Sequence, residues 1–476
     1  MNKFKDIVRL QCALWLLLAS GTAAAQSLLP YQYDSDFLSA DFHRGRRQAL
    51  RETMPDSSVA VLFTAPVRNR ANDVNYVYHQ DPDFYYLTGF RDADAVLFIF
   101  KNPCRLADGS STNELLLIRE PKASRELWTG RMATASEIAA LSGISTVRYT
   151  SEEKEMEFPY SNFALVMHQR LPQGATNDRQ DEYEVYDLLE RFKELTSDKS
   201  INMDDYKLEK SLAKLREIKT PEEMVLLRKA VNISVDGHLE MMRMVEPGFM
   251  EYQVEATGEY TFHYHGAEDI GYPSICGGGE NGCVLHYEKN RRPLNAGDLI
   301  LLDMGAEYHG YTADITRTLP VSGGFTAEQR AIYEIVLRAQ DAGIKACKAG
   351  NAFREPHNAA YREVAAGLME LGLITSEKQA KQYFPHSTSH YLGLDVHDPG
   401  SYGVLEPNHV ITVEPGIYIP PGSSCDKKWW NIGIRIEDDI LITKDQPENL
   451  SGRLPRDPEV LEKLITNAKN RAVDQK

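Results

Sequence analysis

The sequence predicts an α/β chain of two domains, and three observations carry that expectation. Its 476 residues exceed what one hydrophobic core usually holds. Residues 35 to about 205 alternate short apolar runs with amphipathic helical patterns. Near residue 206 this alternation gives way to a long capped helix, then to strand-like segments with helices between them. The expected organisation is a leader over 1–25, an α/β domain over 26–205 and a second domain over 206–476.

The leader comes first. MNKFKDIVRLQCALWLLLASGTAAAQ opens on Lys3, Lys5 and Arg9, continues through an apolar run from Cys12 to Ala19, and ends on Ala23, Ala24 and Ala25. The run is too short to span a bilayer comfortably. Its order matches a cleaved secretory signal cut after Ala25, so an exported (periplasmic or secreted) protein is expected. Cys12 lacks the small-residue setting of a lipid-bearing cysteine, so no membrane anchor is expected after cleavage. The formal net charge is −16, and removing Lys3, Lys5, Arg9 and Asp6 leaves −18. A surface of that sign repels nucleic acid and anionic membrane, which excludes both as expected partners. Five cysteines follow the leader: Cys104, Cys276, Cys283, Cys347 and Cys425. None lies in a CxxC pair, so thiolate metal binding has no support. Cys276 and Cys283 flank a glycine-rich turn, and a disulfide between them is compatible with the spacing but not required by it.

In the first domain, FHRGRRQALRETM reads as an amphipathic helix and SVAVLFTAP as a buried strand. DADAVLFIF and NELLLIRE read as paired strands joined by KNPCRLADGSST, and YEVYDLLERFKELT as a further helix. No catalytic constellation is evident in this region. In the second domain, LREIKTPEEMVLLRKA carries an N-cap threonine, Thr220, with Pro221 in the first helical position and Glu223 completing a capping box. Apolar residues recur at Met224, Leu227, Val231, Val235, Leu239 and Met242, so a helix is expected from Pro221 to about Val245. PSICGGGENGCVLHY, GDLILLDMGAEYHGYTADITRTLPV, HVITVEPGIYIP and NIGIRIEDDILIT look strand-like. TAEQRAIYEIVLRAQDAGIKAC and REPHNAAYREVAAGLMELG are the helices between them.

The carboxylates stand out within these strands. A turn centred on Tyr308 and His309 would set Asp303 opposite Asp314. Two aspartates facing each other on a sheet repel unless a cation lies between them. Asp314, Thr316 and Thr318 share one face by the period of two. Glu414 sits in an apolar run before Pro415, and Glu437 shares a face with Arg435. Such carboxylates are costly unless paired or bound to metal. Asp438 and Asp439 read as solvent-facing or turn residues. FPHSTSHYLGLDVHD adds His386, His390 and His397. An oxygen-rich set with one or two imidazoles favours hard to borderline divalent ions, and four carboxylates neutralise two of them. Such a pair of ions supports hydrolysis.

ENGCVLHY, LLDMGAEYHGYTADITRT, HSTSHYLGLDVHD, TVEPGIYI and GIRIEDD, in this order, resemble the pita-bread metallopeptidases. The closer similarity is to the branch containing aminopeptidase P and prolidase, over roughly residues 206–455. RRQALRETM, DFYYLTGF and ELWTGR resemble that branch's N-terminal domain, with lower specificity. The resemblance implies a creatinase-like N-terminal α/β domain and a C-terminal α+β pita-bread domain. It implies two divalent ions, manganese foremost with zinc or cobalt as alternatives. Asp303 would bind one ion, Asp314 and Glu437 would bridge both, and His390 and Glu414 would bind the other. Glu414 would also accept a proton from the attacking nucleophile. His286 and His397 would hold the substrate and the tetrahedral intermediate, and His386 would line the substrate pocket. Arg435 would fix a ligating carboxylate, with Tyr418 beside it.

The expected activity is release of the N-terminal residue from peptides with proline second. The alternatives are a prolidase acting on Xaa-Pro dipeptides and a catalytically inactive peptide-binding relative. Members of this family are often dimers or tetramers, so a homo-oligomer is expected. Trp128 in ELWTGR either reaches a neighbouring subunit's active site, as the equivalent aromatic does in the family, or packs locally. The remaining histidines read as surface or packing residues.

Overall fold

The structure, a computed structural model, describes residues 34–152, 156–173 and 183–473. The predicted leader lies outside these residues. The chain divides into two compact units between Asp204 and Asp205. Among the described residues no helix is long and apolar enough to cross a membrane.

The first unit is built on a six-stranded mixed sheet. Its spatial order is Val147–Tyr149, Ser111–Ile118, Val96–Arg105, Ser58–Phe63, Leu165–His168 and Met203–Asp204. Ser58–Phe63 is buried along its whole length, as a central strand with both faces covered must be. It pairs antiparallel with Val96–Arg105 and parallel with Leu165–His168. Helix Ala40–Thr53 starts at Ser39, whose hydroxyl accepts the Phe42 N–H. An aromatic core of Phe63, Phe98, Phe100, Phe158, Tyr160 and Phe192 covers the sheet.

The second unit opens with helices Tyr206–Arg216 and Pro221–Met244. Thr220 and Glu223 form the expected reciprocal cap, with Pro221 in the first turn. Pro221–Met244 packs on helix Glu251–Tyr264, and Ala327–Ala346 packs on Glu355–Glu370. Strands Ile275–Gly278, Leu299–Asp303 and Thr316–Pro320 form one antiparallel sheet, while Ala306–Tyr308 and Tyr311–Thr312 close a tight hairpin in a second sheet with Asp269–Ile270.

Four expectations need correction. The hairpin turn lies at His309 and Gly310, whose φ values of 49° and 83° are those of a two-residue primed turn. The register therefore sets Asp303 opposite Thr316, not opposite Asp314. PSICGGGENGCVLHY is a strand only over Ile275–Gly278; a short 3₁₀ turn and a loop follow, so His286 is a loop residue. Glu414 is not inside one strand. Val410–Val413 pairs with Asp438–Leu441, whereas Gly416–Ile419 pairs with Ile432–Arg435, and Glu414 occupies the break where the chain changes sheets. GIRIEDDIL is likewise two strands. Cys276 and Cys283 are both free thiols, as are Cys104, Cys347 and Cys425.

Candidate active site

Four elements of the second unit converge on one point. The hairpin presents Asp303 and Asp314. The segment before strand Val410–Val413 presents His390, the break in the next strand pair presents Glu414, and the break between Ile432–Arg435 and Asp438–Leu441 presents Glu437. Each carboxylate lies at the end of a strand or in a break between strands. Asp314, His390 and Glu437 each offer a ligand atom within 4.8 Å of the other two. His390 Nε2 is 3.4 Å from Asp314 Oδ2 and 3.6 Å from Glu414 Oε1. Asp303 joins the group through Tyr272, whose hydroxyl lies 2.7 Å from Asp303 Oδ1 and 2.7 Å from Asp314 Oδ1.

A second layer fixes these groups. The buried Arg435 guanidinium pairs with Asp303, donates to the Tyr418 hydroxyl at 2.9 Å and to Thr316 Oγ1 at 3.2 Å. Thr316 Oγ1 in turn donates to Glu437 at 2.6 Å. The Asp314 N–H donates to Asp439. This corrects the reading of Asp438 and Asp439 as solvent-facing: both are fully buried. Asp438 pairs with the buried Arg317 and accepts from Ser451 and Gln340. The two aspartates continue into a core strand whose polar partners come from distant segments, which local alternation does not reveal.

The electrostatics fit cations. Burial, followed by repulsion from Asp314, Glu414 and Asp303, drives Glu437 well above the carboxylate range. Burial pushes Glu414 up to about 7, with Asp314 and Asp303 adding to the rise. Burial alone would lower the His390 imidazole, but Asp314 and Glu414 beside it carry it up to about 9. Four carboxylates facing one guanidinium and one imidazole leave negative charge that two divalent ions would offset, and the oxygen-rich donor set suits such ions.

The histidines stand at the rim. His386 Nε2 is 2.8 Å from the Tyr418 hydroxyl, and its Nδ1 is 3.5 Å from Glu414 Oε2. The His390 and His397 rings meet edge to face at 4.4 Å. His286 and His397 are exposed, and the charge of His286 bears on both His386 and His397. Contacts thus link nine of the ten residues singled out in the sequence, and His286 joins them only through its electrostatic effect on His386 and His397. The structure adds Tyr272 and Thr316, which sequence reasoning did not assign. Tyr272 follows Gly271 in a loop without periodicity, so no local signal marks it. Trp128 is 86% exposed among the described residues.

Residues 225–444 match metallopeptidase family M24, and residues 43–158 match the aminopeptidase P N-terminal domain. The chain is 36% identical to an Xaa-Pro aminopeptidase of Escherichia coli over 452 residues, covering 91% of this chain and 99% of that one. It is 31% identical to human Xaa-Pro aminopeptidase 3, covering 89% of this chain and 83% of the other. Among solved structures it is similar to Escherichia coli aminopeptidase P with the inhibitor Pro-Leu. There the TM-score is 0.81 at 35% identity, over 91% of this chain and 100% of that one. An aminopeptidase of Pseudomonas aeruginosa gives 0.80 at 34%, over 92% and 100%.

Proposed function

Since the chain belongs to the Xaa-Pro aminopeptidase branch of metallopeptidase family M24, we propose that it releases the N-terminal residue from peptides with proline in second position. The observation that carries this reading is the convergence of Asp303, Asp314, His390, Glu414 and Glu437 under a rim of three histidines. In this reading Asp303 would hold one divalent ion, His390 and Glu414 a second, and Asp314 and Glu437 would serve both. Manganese is the first choice of metal. Bound there, such ions polarise a carbonyl and lower the pKa of water.

The remaining work falls to the side chains. The two oxygens of Glu414 face different ways, Oε1 to the ligand His390 and Oε2 to His386. In this reading Glu414 takes a proton from the attacking water and returns it toward the leaving nitrogen. His286 and His397 would hold the tetrahedral intermediate from the rim. Proline offers no N–H to grip and has a fixed φ, so recognition must rest on shape. Phe384, His386 and Tyr418 pack ring against ring and supply a wall of suitable form. The exposed Trp128 supports a homo-oligomer in which it meets another subunit, and the leader-like residues 1–25 support export.

Metal analysis after manganese loading tests the metal centre. Two ions per chain are expected. Fewer than one would contradict the proposed centre and favour a metal-free hydrolase or an inactive binding relative.

A further inference from the structure

His286 poses a positional problem. It is exposed, lies on a loop, and makes no hydrogen bond among the described residues. Its position is therefore set by whatever holds residues 278–292. One side chain makes four hydrogen bonds to that segment. Glu251, in the first turn of helix Glu251–Tyr264, has no exposed surface. Its Oε1 accepts the Gly278 N–H at 2.7 Å and the Asn281 amide at 3.0 Å. Its Oε2 accepts the Tyr287 hydroxyl at 2.8 Å and the Arg292 N–H at 2.7 Å. The Glu251 N–H closes the pair by donating to the Arg292 carbonyl at 3.0 Å. A buried carboxylate requires such satisfaction, and four neutral donors with a helix N-terminus provide it.

The same contacts explain a motif that the chemistry leaves unused, the run CGGGENGC. A Cβ on Gly278 would lie 2.3 Å from Leu294 and 3.2 Å from Glu251 Oε1, so only glycine brings that N–H to the carboxylate. Gly279 has φ of 56°, which turns the chain away immediately afterwards. The carboxylate thus grips the loop where it leaves the sheet, at Asn281, at its return, and at Tyr287, the residue bonded to His286.

We propose that Glu251 is the positioning residue for His286, acting on the reaction only through the 278–292 loop. This rests on the reading that His286 contacts substrate. Glutamine is the decisive replacement, because its amide NH2 would confront two of the four donors. Hydrogen exchange across 279–292 should rise in Glu251→Gln, a readout independent of what the protein hydrolyses. Metal content should stay at the wild-type level. On an Xaa-Pro-Yaa peptide, Glu251→Gln should lose about a hundredfold in kcat/KM, divided between kcat and KM as in His286→Ala. In the His286→Ala background the same change should cost little more. If Glu251→Gln does not fold, Tyr287→Phe removes one donor and should give a smaller loss, again absent in His286→Ala. Unchanged exchange, loss of metal, or losses that multiply fully in the double variant would overturn the proposal. A wild type that cleaves no Xaa-Pro peptide would instead strike the functional reading, while exchange would still report on the anchor.

Discussion

At the scale of single residues, two side chains that touch the same site should fail differently. His397 stands at the rim, edge to face with His390, and is not among the proposed ligands. His397→Ala should therefore retain its metal while losing about a hundredfold or more in turnover. Metal analysis beside steady-state kinetics checks this, and full turnover would remove His397 from the mechanism. Tyr272 lies beneath the site, with one hydroxyl against two carboxylates. Tyr272→Phe should weaken metal binding by about 10- to 100-fold, read by titration of metal into the stripped protein. Turnover at saturating metal should change much less. Equal metal affinity in the two proteins would show that the hydroxyl does not organise Asp303 and Asp314.

At the scale of elements, the hairpin Leu299–Pro320 sets the spacing of those aspartates. Gly305 is the tightest point: a Cβ there would sit 1.8 Å from the Ala313 carbonyl oxygen. Gly305→Ala must push the two strands apart. It should destabilise the second unit by about 2 kcal/mol or more and reduce metal affinity together with stability. Denaturant unfolding with and without manganese measures both effects. Such elements also show what was legible beforehand. The helix Pro221–Met244 was readable almost to the residue, because Thr220, Pro221 and Glu223 are local signals. The hairpin was readable as a hairpin, but its register was not. A positive φ at His309 moved the turn by one residue and set Asp303 against Thr316. Glu414 and Glu437 stood out as carboxylates in apolar runs, yet the sheet changes beside them depend on distant partners. For the same reason Asp438 and Asp439 were misplaced, since Arg317 and Ser451 are remote in sequence.

At the scale of the whole molecule, pH should act through buried histidines as well as through the site. His43 in the first unit and His238 in the second are both fully buried, and burial lowers each from 6.5 to about 4. The Tyr86 and Met304 carbonyls recover only part of that shift. An imidazole whose folded pKa is depressed binds its proton more tightly in the unfolded chain. Stability from this source is therefore complete above 6.5 and declines as pH falls from there toward about 4. The thermal midpoint should drop across that window, and a flat midpoint would contradict the assignment of neutral rings. The family identity was legible in five ordered segments of the second unit. The support around the metal site, from Tyr272 to Glu251, was not, because those residues meet it only in three dimensions. The most direct test of the account compares hydrolysis by the manganese-loaded protein of three substrates: an Xaa-Pro-Yaa peptide, its Xaa-Ala-Yaa counterpart and an Xaa-Pro dipeptide. The account predicts release of the first residue from Xaa-Pro-Yaa, with the alanine peptide spared. Cleavage of the dipeptide alone, or of neither proline substrate, would contradict it.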